Sequence, residues 1–320
     1  MSPGTADPSA RSESTTPAQK RADHEIDAAR LARFFGSLAV LAAGFVAVGR
    51  VAEVRLVALA PPYMFTPAIA AGVTVLTTDA SRRDVGARIG RLRWHLAAVV
   101  TALALVGVAL VVAVAVPEVT FDASADPTPG LALPTGALGV VALAGIAVGA
   151  GVTVNALFAL GEELGWRGYL LWELAPLGFW RASGLVGLAW GLWHAPIILD
   201  GYNYPSFPLV GVVVMTAATV AFSPVYTFVV VRARSVLAAG FFHGVFNAAA
   251  GVLLAYAVTA DPVRRELVAS PVGAAGIGAF VLAAVVIGIG GTPTLDRATI
   301  WGGAEPANGP ESGSERQKEE

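Results

Sequence analysis

Long apolar runs recur along this chain, and each is close to the length that a helix needs to cross a lipid bilayer. A membrane-spanning helix takes about 17–25 predominantly apolar residues. Runs of this kind lie at 34–50, 57–77, 95–116, 136–160, 183–200, 207–231, 236–258 and 270–291. The sequence therefore predicts an all-α fold, a polytopic membrane helix bundle with about eight transmembrane helices.

The composition agrees with this interpretation and excludes several functions. Hydrophobic residues make up 55% of the chain and charged residues 14%, whereas soluble domains carry roughly 25% charged residues. The formal net charge is −2 and no basic tract is present, so nucleic acid is not expected as a partner. The chain contains no cysteine, which excludes disulfides and thiolate metal sites.

The apolar runs divide the chain into one membrane domain and two polar tails. Residues 1–30 and 292–320 are rich in small, polar and charged residues, a composition that cannot bury enough apolar surface to fold alone. We expect both tails to be disordered, with a transmembrane domain at 31–291 and its polar motifs within 136–258. The fourth run could continue past Glu162 as one helix or end at Gly161.

The arginines predict which way the domain lies in the membrane. They flank the first apolar run on its N-terminal side and fill the loops after the second and sixth runs, whereas the loop at 117–135 is acidic. Basic residues favour the cytoplasmic side, so both termini should be cytoplasmic in an integral protein of the cell membrane. Arg264 and Arg265 fall on the opposite side and do not fit this rule.

Two adjacent carboxylates follow directly after the fourth apolar run. Glu163 and Arg167 are four residues apart, so on a helix they share a face and can form an ion pair. Glu162 lies about 100° further round the helix and should stay free for chemistry. An ionisable group within a membrane helix is a functional hypothesis by default.

Two histidines in later runs each have a companion at helical spacing. Trp190 precedes His194 by four residues, and His243 precedes Asn247 by four, so each pair shares a helix face. Peptide hydrolysis needs a base, an oxyanion donor and a proton for the leaving amine, and these side chains can supply them. Trp193 and Trp190 could form the wall of a substrate pocket. A single membrane histidine could also simply bond to a neighbouring helix.

These motifs together resemble those of a known family. Glu-Glu-x-x-x-Arg at 162–167, aromatic-x-x-x-His at 190–194 and His-x-x-x-Asn at 243–247 occur in this order. They are similar to the three motifs of the CPBP family, the CaaX-prenyl-protease and bacteriocin-processing membrane proteins, also called Abi. The family usually has Phe at the position of Trp190, and this difference concerns substrate preference.

The resemblance implies an intramembrane endopeptidase of eight helices, with a site open to the cytoplasmic side. Glu162 would activate a water molecule and His194 would help to position it. His243 and Asn247 would form the oxyanion site, while Glu163 and Arg167 would support the geometry. The substrate would be a membrane-associated protein or peptide.

Metal dependence is open at this point. If a metal is present, Glu162, His194 and His243 could hold Zn²⁺ in a three-ligand site. The His-Glu-x-x-His pattern of soluble zinc proteases is absent from the sequence. We therefore expect a site without a cofactor.

Two other classes of function compete with a peptidase. A transporter could relay protons through Glu162, His194 and His243, and a non-catalytic membrane scaffold or immunity protein could stabilise a partner. Convergence of the three side chains would favour the peptidase, whereas an extended path would favour the relay. Counted from the predicted helix starts, His243 and His194 should lie ~10 and ~15 Å below the cytoplasmic surface, in a cavity that opens to that side.

Overall fold

The computed structural model describes residues 25–126, 130–134 and 136–302, with only the backbone described at 252–254. The predicted tails therefore lie outside the described residues at 1–24 and 303–320. The described part is helical apart from loops and one short antiparallel pair of strands, β1 (Thr120–Phe121) and β2 (Ala257–Val258).

The helices follow the apolar runs of the sequence. In chain order they are α1 (Ala28–Val51), α2 (Leu56–Tyr63 and Thr66–Thr77, bent by 42°), α3 (Leu92–Val114), α4 (Gly136–Leu177), α5 (Phe179–Leu199), α6 (Pro208–Ala233), α7 (Val236–Tyr256) and α8 (Ala274–Gly290). Short helical turns lie at Arg82–Val85 and Val263–Val268.

Five helices of the described part are long and apolar enough to cross a membrane, and a sixth is added if the bent α2 counts as one span. Val236–Gly251 of α7 and the whole of α8 are apolar but shorter. The chain is thus an integral membrane protein with a polytopic helix bundle, as predicted. The count of eight spans stays a prediction.

The fourth apolar run continues through the acidic motif as a single helix. α4 extends over 42 residues and includes two π-helical segments, Gly151–Asn155 and Leu164–Leu170. Gly161 does not end the helix. Instead it allows close packing, because a β-carbon there would lie 2.8 Å from the Met64 carbonyl oxygen at the bend of α2. Segments of π-helix inside α-helices are frequent at functional sites.

Small residues bring the motif-bearing helices into close contact. A β-carbon on Gly187 of α5 would lie 2.7 Å from the Thr219 carbonyl oxygen of α6. A β-carbon on Gly244 of α7 would lie 2.2 Å from the Gly151 carbonyl oxygen of α4. Lipid provides no hydrophobic drive between helices, so close backbone packing of this kind holds membrane bundles together.

A buried charged cluster closes the end of the bundle where the arginine-rich loops lie. Glu173 of α4 is fully buried and pairs with Arg30 of α1 at 2.9 Å and with Arg297. Arg297 also donates to the carbonyl oxygens of Trp172 and Glu173. Its guanidinium thus caps carbonyl groups near the end of α4, as basic side chains do at helix C-termini.

The residues after α8 pack on the domain, which corrects the predicted boundary of the C-terminal tail. We call residues 292–302 the C-terminal strap. Leu295, Arg297, Ile300 and Trp301 of the strap are buried, and Trp301 Nε1 donates to the Asp84 carbonyl oxygen at 2.8 Å. The N-terminal boundary also shifts, because α1 begins at Ala28 within the predicted tail. The composition of such a segment does not predict that it packs on the domain, because only a few buried side chains hold it there.

Replacing Arg297 with glutamine should destabilise the protein. The change removes one of the two cations that contact the buried Glu173 carboxylate and weakens the cap of α4. Hydrogen bonds to charged groups contribute about 1.5–3 kcal/mol each, so thermal unfolding in detergent should occur at a lower temperature. Arg93→Gln is the control, because Arg93 is exposed on the same end of the bundle. Equal melting temperatures for the two variants would contradict a structural role for the strap.

Candidate active site

The predicted ion pair between Glu163 and Arg167 is present. Arg167 NH1 lies 3.1 and 3.2 Å from the two carboxylate oxygens of Glu163. Both side chains are 0% exposed. The spacing of four residues on α4 places them on one face, so the arginine neutralises one acid and leaves the other without this partner.

Arg167 lies between two aromatic rings from other helices. The centre of its guanidinium is 4.1 Å from the Trp190 ring centroid on α5 and 4.3 Å from that of Tyr226 on α6. Such contacts are worth about 2 kcal/mol or more when water is excluded. Tyr226 was not expected from the sequence. A polar tyrosine within the apolar run of α6, close to Ser223 and Thr227, was the signal that could have indicated it.

His243 is hydrogen-bonded to Glu163, a contact that the sequence analysis did not predict. His243 Nδ1 lies 2.8 Å from Glu163 Oε1, and the His243 side chain is 6% exposed. Glu163 therefore serves two partners, Arg167 on its own helix and His243 on α7. Spacing along a sequence predicts the pair within one helix, but it does not specify which acid a histidine from another helix reaches.

Glu162 has an indole as its hydrogen-bond partner. Trp190 Nε1 donates to Glu162 Oε2 at 2.6 Å, and the glutamate is 3% exposed. The sequence had suggested Trp190 only as a wall of the substrate pocket. Its ring also faces Arg167, so one side chain contacts Glu162 and the cation of the neighbouring ion pair.

His194 packs against the same indole. Its Nδ1 donates to the Trp190 carbonyl oxygen at 2.8 Å, which fixes the ring against α5. The Trp190 ring centroid is 5.9 Å from that of His194 and 5.5 Å from that of His243. Both histidines are thus bonded through Nδ1, which leaves Nε2 of each ring as the atom that can act on a water molecule or substrate.

Trp193 is held by contacts with α2. Its Nε1 donates to the Thr66 hydroxyl at 3.0 Å. Its ring stacks on Tyr63 with centroids 4.6 Å apart, and the Tyr63 hydroxyl donates to the Trp193 carbonyl oxygen. The ring centroids of Trp193 and His194 are 4.7 Å apart. Trp193 therefore supports His194, and a contact with substrate stays a prediction.

Asn247 differs from the other motif residues because its side chain is exposed. It lies one turn beyond His243 on α7, and Gly251, one turn further, is also exposed. No hydrogen bond joins Asn247 to His243 within the described residues. Asn155 of α4, which the sequence analysis did not select, donates through Nδ2 to the Gly244 carbonyl oxygen at 3.5 Å. Asn247 thus lies at the molecular surface, one helical turn from the buried His243.

The position of His194 along its helix differs from the expected one, whereas that of His243 agrees. α5 begins at Phe179, so His194 lies about 15 residues, or ~22 Å, from the start of its helix. α7 begins at Val236, so His243 lies about seven residues, or ~10 Å, from the start of its helix, as expected. Glu162 precedes the buried Glu173 by about 11 residues, or ~16 Å.

Packing also closes the arginine-rich end of the site. From Gly161 to Ala175 every residue of α4 is buried except Leu164, which is half-buried. On the opposite side of the site, Thr153 and Val154 of α4 are exposed, as is Asn247. The exposed residues next to the site thus lie on the side away from the arginine-rich loops, and the opening to the cytoplasmic side stays a prediction.

The side chains considered for a metal site do not form one. Among the residues that the structure describes, no group of three or more His, Cys, Asp and Glu could hold a metal ion. Glu162 is bonded to an indole, and His243 is bonded to Glu163 through Nδ1. Independence from metal stays a prediction.

The fold and the site together define a class of protein: a polytopic helical membrane protein with two carboxylates and two histidines buried around one tryptophan. Residues 144–249 match the model of the family described as type II CAAX prenyl endopeptidase Rce1-like. This segment contains all three sequence motifs.

Part of the chain is also similar to a curated CAAX prenyl protease. The chain is 44% identical over 54 residues to CAAX prenyl protease 2 of Methanococcus maripaludis, which covers 16% of this chain and 20% of that protein. The chain thus matches about a fifth of the length of this relative. Both matches agree with the resemblance of the three motifs to the CPBP family.

Proposed function

We propose that this protein is an intramembrane endopeptidase that hydrolyses a peptide bond of a membrane-associated protein or peptide. The observation that carries the proposal is the convergence of Glu162, Glu163, His194 and His243 around the Trp190 indole inside an apolar bundle. Buried charges are costly in a membrane protein and mark functional sites. The family match of residues 144–249 supports the same reaction class.

Glu162 is the general base of the proposed reaction. Its carboxylate accepts a proton from a water molecule while the water oxygen attacks the carbonyl carbon of the peptide. The same proton is then delivered to the leaving amine as the C–N bond breaks. A positioned acid–base group of this kind typically contributes about 10²–10⁴-fold to the rate.

The two histidines act through Nε2. His194, fixed by its bond to the Trp190 carbonyl oxygen, orients the water molecule. His243, fixed by Glu163, faces the carbonyl oxygen of the substrate and stabilises the developing oxyanion. Groups that are already oriented for the transition state contribute more than groups that must reorganise. Glu163 and Arg167 supply this orientation from the buried ion pair.

A proton-relay transporter is the competing function, and the geometry favours it less. A relay needs ionisable groups that follow one another along a path across the membrane. Here both histidines pack against one indole, each with Nδ1 already bonded to protein. A non-catalytic scaffold would not need this arrangement.

The substrate presents an extended segment, because an intact helix hides its peptide bonds. A lipidated tail, a bacteriocin precursor or the frayed end of a membrane helix would meet this requirement. The exposed residues Asn247 and Gly251 on α7 indicate the entry, whereas the arginine-rich end is closed. We place both termini on the cytoplasmic side of the cell membrane.

Cleavage of a defined reporter in liposomes tests the proposal. The reporter is a single membrane helix with a labelled, extended segment on one face or the other, and labelling of engineered cysteines fixes the orientation of the protein. We expect cleavage of the segment on one face only, and no cleavage by Glu162→Gln. A pH-sensitive dye in the same vesicles measures proton flux. Flux without cleavage would support the transporter instead.

Chelation tests the proposed independence from metal. Activity should persist after treatment with 1,10-phenanthroline and removal of the chelator–metal complex, because no group of three or more His, Cys, Asp and Glu is arranged for a metal among the described residues. Loss of activity that added Zn²⁺ restores would contradict this part of the proposal.

Asn247→Ala should separate rate from binding. If the exposed amide donates to the oxyanion together with His243, its removal should lower kcat about 10²–10³-fold and leave KM nearly unchanged. Steady-state kinetics on the reporter measure both quantities. Ser206→Ala serves as a control for the loss of a polar group, because Ser206 bonds to Glu266 in a loop away from the site. A raised KM at unchanged kcat would assign Asn247 to substrate recognition.

A further inference from the structure

We infer that Trp190 is a positioning residue that orients the carboxylate of Glu162 through its indole N–H, an inference that rests on the proposed peptidase function. The sequence offered this residue only as an aromatic wall. The structure assigns it a polar contact with the acid that acts on water.

The contact is short and enclosed. Trp190 Nε1 lies 2.6 Å from Glu162 Oε2, and the two residues are 4% and 3% exposed. Hydrogen bonds to a charged acceptor are shorter and stronger than neutral ones. Because the indole donates to one carboxylate oxygen, the other oxygen remains available to accept a proton from water.

The indole itself has little freedom to move. Its face contacts the Arg167 guanidinium at 4.1 Å, and Tyr226 packs on it edge-on with centroids 5.5 Å apart. The backbone carbonyl of the same residue accepts the hydrogen bond from His194. A single residue thus fixes Glu162 through its side chain and His194 through its backbone.

Tryptophan is required for this role because phenylalanine offers an aromatic face but no donor. A phenylalanine at position 190 would keep a ring beside Arg167 and leave Oε2 of Glu162 without its partner. The loss of a hydrogen bond to a charged group is expected to lower the rate if the bond holds the reacting geometry. It would not change how tightly the substrate binds.

Two replacements at position 190 test the inference with purified protein in liposomes. Trp190→Phe should lower kcat about 10–100-fold and leave KM within about twofold. Incorporation of 3-benzothienylalanine at the same position keeps the shape of the side chain and replaces only the N–H by sulfur, so it should lower kcat by a similar factor. This second variant stays informative if Trp190→Phe folds poorly.

Trp166→Phe is the matched control. Trp166 is fully buried on α4 next to Arg167, and its Nε1 has no hydrogen-bond partner among the described residues. The control should lose some thermal stability through reduced packing and keep its kcat. Full activity of the benzothienylalanine protein would overturn the inference, as would an equal loss of kcat in Trp166→Phe.

A spectroscopic readout separates this inference from the proposed function. The indole ¹⁵N–¹H resonance of Trp190 should shift in Glu162→Gln, and the resonance of Trp166 should remain in place. An unchanged Trp190 resonance would overturn the contact. If the wild-type protein cleaves no reporter while the resonance does shift, the proposed function fails and the hydrogen bond stands.

Discussion

Glu162→Gln is expected to fold normally and to lose peptidase activity by about 10²–10⁴-fold. Glutamine keeps an oxygen that can accept the hydrogen bond from Trp190 Nε1. Glutamine cannot take a proton from water at neutral pH, so only the rate of the chemical step should fall. Turnover of the membrane-anchored reporter, together with the yield and melting temperature of the purified protein, measures the two effects separately.

Glu163→Gln provides the comparison for this prediction, because the two acids are neighbours on the same helix. Its yield or thermal stability should fall, since the Arg167 charge would remain buried without a counter-charge. If Glu163→Gln kept its yield and lost all turnover while Glu162→Gln stayed active, the two roles would be reversed. The contact between His243 and Glu163 makes this outcome worth measuring directly.

Arg167→Ala is expected to have the largest effect on stability. Removal of one partner from a buried ion pair costs about 3–5 kcal/mol, because the remaining charge is left uncompensated. Here the arginine also fills the space between Trp190 and Tyr226, so its removal adds a cavity. Thermal unfolding in detergent, monitored by the size-exclusion profile, should show a much lower melting temperature than that of the wild-type protein.

Arg167→Lys distinguishes charge from shape in the same position. Lysine restores a positive charge but not the planar group that stacks between two rings and spans both oxygens of Glu163. We expect only partial recovery of the melting temperature. Full recovery would show that charge alone matters, and a double-mutant cycle with Glu163→Gln would measure the coupling of the pair.

Local spacing predicted the contacts that lie within one helix. Glu163 and Arg167 pair because four residues bring two side chains to one face of α4. The polytopic fold followed from the length of the apolar runs, and the three motifs indicated the family whose model residues 144–249 match. These inferences needed no knowledge of how the helices cross.

Contacts between helices were harder to predict. His243 reaches Glu163, and Trp190 reaches Glu162, because α5 and α7 pack on α4 at crossings that small residues such as Gly187 and Gly244 permit. Sequence spacing does not specify these crossings. The predicted depth of His194 was wrong for a simpler reason. α5 begins at Phe179, in a stretch whose arginine and tryptophan interrupt the apolar pattern that marks a membrane helix.

The C-terminal strap has a practical consequence for work on this protein. Trimming the chain to the apolar core at 31–291 would remove Arg297 and Trp301, and also Asp27 and Arg30, whose contacts close the arginine-rich end. A shortened protein of that kind would leave Glu173 buried with no cation beside it. Affinity tags and reporter fusions should therefore be joined beyond residue 302, where they leave these anchors intact.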